Sequence, residues 1–109
     1  MNELASRRCG PKHGRALAPA ASKTLIKQLA GWVMNAKAKE IRRTLKFKDY
    51  YSTMAFVNAV AWIAHREDHH PDMTVGYNKV TVVYSTHSVG GLSENDFICA
   101  AKVDALGAA

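Results

Sequence analysis

Cysteine is scarce in this 109-residue chain, which has only Cys9 and Cys99, in unlike surroundings. Two such thiols make no disulfide framework, which points to a reducing compartment. Long apolar runs are also missing. No stretch approaches the roughly 18 consecutive apolar residues of a membrane-crossing helix, no secretory apolar segment stands near the start, and the basic N-terminal residues lack the apolar spacing of an amphipathic presequence. Cytoplasm is the expected location, with no membrane association. Repeats and low-complexity segments are absent as well.

Acidic residues are in deficit. Nine stand against 15 basic ones, a formal charge of +6. Such a balance favours acidic partners without naming one. Much of it is local, in Arg7, Arg8, Lys12 and Arg15. No Arg- and Lys-rich recognition helix follows a turn, so direct nucleic-acid binding is disfavoured. Residues 1–18 carry no apolar period and read as a flexible, basic, solvated tail, leaving residues 19–109 as one domain. A fold this small buries only about 60 to 70 percent of its unfolded surface, so association would help it.

Pro19 to Ala30 reads as a short helix, with Ser22 as its cap, Leu25, Ile26 and Leu29 as its apolar stripe and Gly31 as its stop. Trp32 to Phe47 reads as a hairpin, although Ala36 to Glu40 suits a helix equally well by propensity. Asp49 caps a longer helix that ends near Arg66, with Tyr50, Met54, Val57, Ala61 and Ala64 at helical spacing. A second apolar line through Phe56, Ala59, Val60 and Ile63 is either buried within one subunit or a contact between subunits. Pro71 to Gly76 and Lys79 to Ser85 read as strands, the second rich in β-formers. Gly90-Gly91 is a turn. Ser93 then caps a last helix with Asp96 at its third position, and Leu92, Cys99, Ala100, Val103 and Leu106 line one side. Asp96 falls on that same inward stripe, either as a cap alone or as a carboxylate aimed at a ligand. The predicted fold is α+β: a four-stranded antiparallel sheet with three helices on one face, in the order α-β-β-α-β-β-α.

Three of the five histidines, His69, His70 and His87, lie between Asp68 and His87. Histidine can give and take a proton near neutral pH. Pro71 biases His70 toward an extended backbone, where neighbouring side chains point to opposite faces, so His69 and His70 should differ in task. Zinc is a weak rival, because neither cysteine lies near the cluster in sequence. No serine occupies a strained Gly-flanked elbow, and Gly90-Gly91 lacks the other residues of a phosphate loop. Histidines without a metal suit acid-base work on a heterocycle: one ring protonates a leaving oxygen while another takes a proton from nitrogen.

Several motifs in order share a pattern. They are Gly31-Trp32, Phe47-Lys48-Asp49-Tyr50, Val60-Ala61, His69-His70-Pro71, Tyr77-Asn78-Lys79-Val80, Ser85-Thr86-His87 and Gly91-Leu92-Ser93 with Asp96. From about Ser22 to Leu106 the chain resembles the pterin-4a-carbinolamine dehydratases. The resemblance implies dehydration of a 4a-hydroxytetrahydropterin to the quinonoid dihydropterin, in recycling of tetrahydrobiopterin, with no metal or added cofactor. It makes His69 and His87 the acid and base and has His70 position the pterin. Asp68, Pro71, Ser85, Thr86, Ser88 and Asp96 fall among the substrate-binding positions. It also implies a homodimer or homotetramer. The alternative is a non-enzymatic role as dimerisation cofactor of a transcription factor, which would add the nucleus as a location. The chain departs from the family at His65, where an acid is usual. Glu67 or Asp68 are the candidates to replace that acid.

Overall fold

The computed structural model describes residues 3–12 and 14–107. Each element follows from local chemistry. Lys79–Tyr84 (β4) alternates buried Val80, Val82 and Tyr84 with more exposed residues, and Ile41–Lys46 (β2) buries Ile41 and Leu45 while Arg42, Thr44 and Lys46 face out. Such a period of two makes one face apolar. The shorter Val33–Met34 (β1) and Asp72–Val75 (β3) flank them, and the sheet is antiparallel throughout in the order β1-β2-β4-β3.

Helices cover the apolar face. Tyr50–Glu67 (α3) starts where the Asp49 side chain accepts a hydrogen bond from Ser52 N, as the sequence predicts. Glu94–Asp104 (α4) opens with a capping box between Ser93 and Asp96. The two helices pack on each other, and Phe56, Val60, Ile63, Phe97 and Ile98 join Val80 and Val82 in one core. Pro19–Ile26 (α2) adds Leu25 and Ile26 at its border. The architecture is the predicted α+β, with one further short helix, Glu3–Ser6 (α1).

Two local readings are corrected, and one that was open is decided. Ala18, not Ser22, is the N-cap of α2, because Pro19 suits the first helical position and draws the start upstream. Ser22 lies inside the helix, its hydroxyl buried without a hydrogen-bond partner among the described residues. The helix ends at Ile26, before Ala30, and Gly31 at φ 84° turns the chain into β1. On α3, Phe56, Val60 and Ile63 are buried within this one chain, so they are not a spare surface for another subunit. The large exposed apolar side chains of α3 are Tyr50, Tyr51 and Trp62.

The predicted solvated tail is also corrected. Leu4, 1 % exposed, packs α1 against α4, and Lys102 Nζ donates to Ala5 O. Leu17 N donates to Leu92 O, and a side chain at Gly91 would meet Ala16 Cβ at 3.0 Å. A single buried leucine between Glu3 and Ala5 leaves no helical period to read, yet it suffices to anchor the arm when α4 offers an apolar seat.

Candidate functional site

The site begins where α3 ends. Asp68 takes up left-handed geometry at φ 52°, a conformation that aspartate tolerates better than most residues, and its N–H closes the helix on Ala64 O. This turn directs His69 away from the helix. The imidazole then lies flat against Tyr84 on β4, with centroids 5.9 Å apart and planes at 12°. Tyr84 is fully buried, and burial raises the pKa of its phenol well above the ordinary value, so it packs as a neutral ring.

His69 Nε2 lies 2.6 Å from Asp96 Oδ1. Asp96 is 0 % exposed, and its other oxygen accepts from Thr86 Oγ1 at 2.8 Å and from Ser93 N at 3.0 Å. The Thr86 proton is committed to Asp96, so the Ser93 hydroxyl, 2.8 Å away, donates to Thr86 Oγ1. The carboxylate thus both caps α4 and holds the histidine. With donors filling one oxygen, the other is left to accept a proton from His69 Nε2.

A cleft of about 260 Å³ opens beside this pair. His69, Asp68, Thr86 and Ser88 border it, together with the N-terminal strap from Cys9 to Lys12. Three clasps hold the strap. Glu67 Oε1 accepts from Cys9 N at 2.8 Å, Asn95 exchanges hydrogen bonds with Gly10 N and Gly10 O, and Ser88 Oγ donates to Lys12 O. Burial alone would raise the pKa of Glu67. The Cys9 N–H, Lys102 and Arg8 outweigh it and hold the carboxylate below its ordinary range.

Not every predicted site residue meets at this cleft. Ser85 and His87 border a second cavity of about 210 Å³, with Lys39 and Glu40 across from them, and Thr86 is the wall common to both. His87, exposed, opens a single turn of 3₁₀ helix through Val89, and the loop is pinched shut by Thr86 N donating to Gly91 O. His70 is exposed and Pro71 half-buried, and neither borders these cavities. His65 stacks on Trp62 on the outer side of α3, 5.6 Å between centroids. Of the two candidates for the missing acid, Asp68 and Glu67 both border the cleft, and Glu67 is engaged by the strap. Trp32 is structural: Nε1 donates to Asp104 and the ring packs on Tyr84. Among the described residues, no three His, Cys, Asp or Glu side chains gather as a metal site. Sequence reasoning missed Asn95 and the strap, since the pairing of Gly10 with Asn95 spans 85 residues.

Comparison with known proteins bears on these features. The family profile described as pterin 4 alpha carbinolamine dehydratase matches residues 15–106. A Nitrosospira multiformis protein named "Putative pterin-4-alpha-carbinolamine dehydratase" is 59% identical over 109 residues, covering 97% of this chain and 94% of its own. One of the same name from Stenotrophomonas maltophilia is 57% identical, over 94% of this chain and 90% of its own. Among solved structures, a transcriptional coactivator/pterin dehydratase from Brucella melitensis superposes with a TM-score of 0.81 at 33% identity, covering 87% of this chain and 100% of its own. A pterin dehydratase-like protein described as a RuBisCO assembly factor in the alpha-carboxysome gives 0.62 at 26% identity, over 72% and 93%.

Proposed function

The chain belongs to the pterin 4 alpha carbinolamine dehydratase family, and from that membership we propose that it is a hydro-lyase acting on a 4a-hydroxytetrahydropterin. The reaction breaks the C4a–O bond, removes a proton from the neighbouring ring nitrogen and forms a C=N bond, giving quinonoid dihydropterin and water. In tetrahydrobiopterin recycling this step regenerates a reducible cofactor. The observation that carries the reading is the His69–Asp96 pair, 2.6 Å apart, with His69 bordering the cleft and Asp96 buried behind it. Asp96 holds the Nε2 proton, so Nδ1 is the base that takes the proton from nitrogen. His87 is then the acid that protonates the departing hydroxyl. A substrate lying across Thr86, the wall common to the two cavities, would meet both rings. Asp68 and Ser88 border the cleft and Ser85 the second cavity, around the substrate, whereas His70 and Pro71 lie outside both and would orient only a part of the pterin that projects beyond them. The chemistry needs neither a metal nor an added cofactor.

Turnover of a 4a-hydroxytetrahydropterin by the purified protein is the test. His69→Ala and His87→Ala should each lower kcat by about 100-fold or more with the fold retained, and His70→Ala should raise KM more than it lowers kcat. Near-normal rates in both correctly folded variants would remove the acid-base assignment. They would turn attention to a binding role, such as the dimerisation of a transcription factor.

A further inference from the structure

The two cysteines, unrelated in sequence, meet in the fold. Cys9 Sγ and Cys99 Sγ lie 3.5 Å apart across 90 residues, and both are free thiols. We propose that Cys9 and Cys99 form a reversible disulfide that fastens the N-terminal strap to α4 beside the His69 cleft.

Three observations carry this. First, the approach is already organised: Cys9 N is held by Glu67 and the next residue, Gly10, is held on both sides by Asn95, so the thiol is presented to α4 before any bond forms. Closing 3.5 Å to the roughly 2.05 Å of an S–S bond asks only a small movement of a surface strap. Second, the thiols differ in access. Cys99 is fully buried, whereas Cys9 is half-buried and borders the cleft, which offers a path to a small oxidant. Third, the hydrogen bond with Cys9, then burial, raises the Cys99 pKa and keeps it a thiol. Cys9 is therefore the sulfur that reacts first.

The oxidant is a hydroperoxide. The Cys9 thiolate attacks the terminal peroxide oxygen and breaks the O–O bond, giving the Cys9 sulfenic acid and, after protonation, an alcohol or water. The Cys99 sulfur then displaces the hydroxyl from Cys9, and water leaves with the Cys99 proton. Two thiols are oxidised and one peroxide is reduced. Reduction by a dithiol restores both.

In the reduced protein the strap is held by hydrogen bonds, the Arg8–Glu67 ion pair and the packing of Cys9 on the core, with no covalent tie, and it can lift. The cleft beside it, about 260 Å³, is near the lower end of the roughly 300–1,000 Å³ of small-molecule pockets, so that lifting would widen it for a ligand. The disulfide prevents it.

The full chain would be treated with hydrogen peroxide, then mapped by mass spectrometry and probed by limited proteolysis within residues 7–12, with and without dithiothreitol. A Cys9–Cys99 peptide crosslink is expected. Cleavage should slow about tenfold or more in the oxidised form and return on reduction, because the crosslink removes local opening. Cys9→Ser, which leaves the core thiol in place, should be cleaved at one rate with or without peroxide. Sulfinic acid on Cys9 without a crosslink, a crosslink between two chains, or a Cys9–Cys99 bond that leaves cleavage unchanged would each overturn the proposal. The closing of the cleft rests on the dehydratase reading and has its own readout: pterin turnover should fall reversibly on oxidation. Turnover absent from both forms would count against that reading alone, since the crosslink is seen without it.

Discussion

The cleft has two walls, and they are built in opposite ways. One is the turn from Thr86 into α4, where Asp96 binds Ser93 three residues away and Thr86 ten residues away, all of it buried. The other is the strap from Cys9 to Lys12, held by partners 58 to 86 residues distant through part-buried and exposed hydrogen bonds. The first wall orders few residues for its contacts and excludes water from them. The second closes nearly the whole chain into a loop and keeps its bonds near solvent, where each contributes less. A rigid wall and a releasable one follow from that difference.

Asp96→Asn strikes the rigid wall hardest. The amide cannot hold the Nε2 proton as the carboxylate does, and it leaves a buried network one acceptor short. Turnover should fall about 100-fold or more and stability by about 3 kcal/mol. Kinetics and urea unfolding on one preparation check both. A variant that lost stability and kept its rate would show that Asp96 serves only as a helix cap.

Asn95→Ala attacks the releasable wall, removing its two bonds to Gly10. Docking of the strap should weaken by about 1–3 kcal/mol. Amide exchange at residues 9–12 should quicken while that of α4 stays slow. Equal quickening of both would mean that the walls open as one unit, and the contrast between them would be lost.

Asp49→Ala sharpens the contrast from outside both walls. Asp49 also caps a helix, through Ser52 N, but is only half-buried, and the hydrogen bond from Ser52 N holds its pKa below the ordinary value. Thermal unfolding should show a loss smaller than that of Asp96→Asn, with turnover unchanged. A cost equal to that of Asp96→Asn would show that burial is not what makes Asp96 expensive.

Acid gives the smallest effect. The folded-state pKa of Glu67 is depressed below its ordinary value of 4.5, so its contribution is present above that value and is lost as pH falls through the lower, folded one. The strap should loosen below about pH 4.5, and Glu67→Gln should remove that part of the pH dependence. Proteolysis of the strap by an acid-active protease, compared between the wild type and Glu67→Gln, reads it.

Much of the fold was legible without coordinates because its signals are local. Asp49 and Ser93 cap the helices predicted for them, and the alternation in Lys79–Tyr84 marks a half-buried strand, since caps and periods depend on residues within a few positions. The family itself was legible from short motifs in order. Three things were decided only in the folded chain. α3 carries two apolar lines, and composition cannot say which one meets the sheet; packing buries Phe56, Val60 and Ile63. The N-terminal arm buries one leucine fully, Leu4, and α4 supplies its seat. Asp96 read equally as cap or ligand carboxylate. It serves as cap and as partner of His69, because the turn at Asp68 brings together two side chains 27 residues apart, a separation that no local hydrogen bond or period spans.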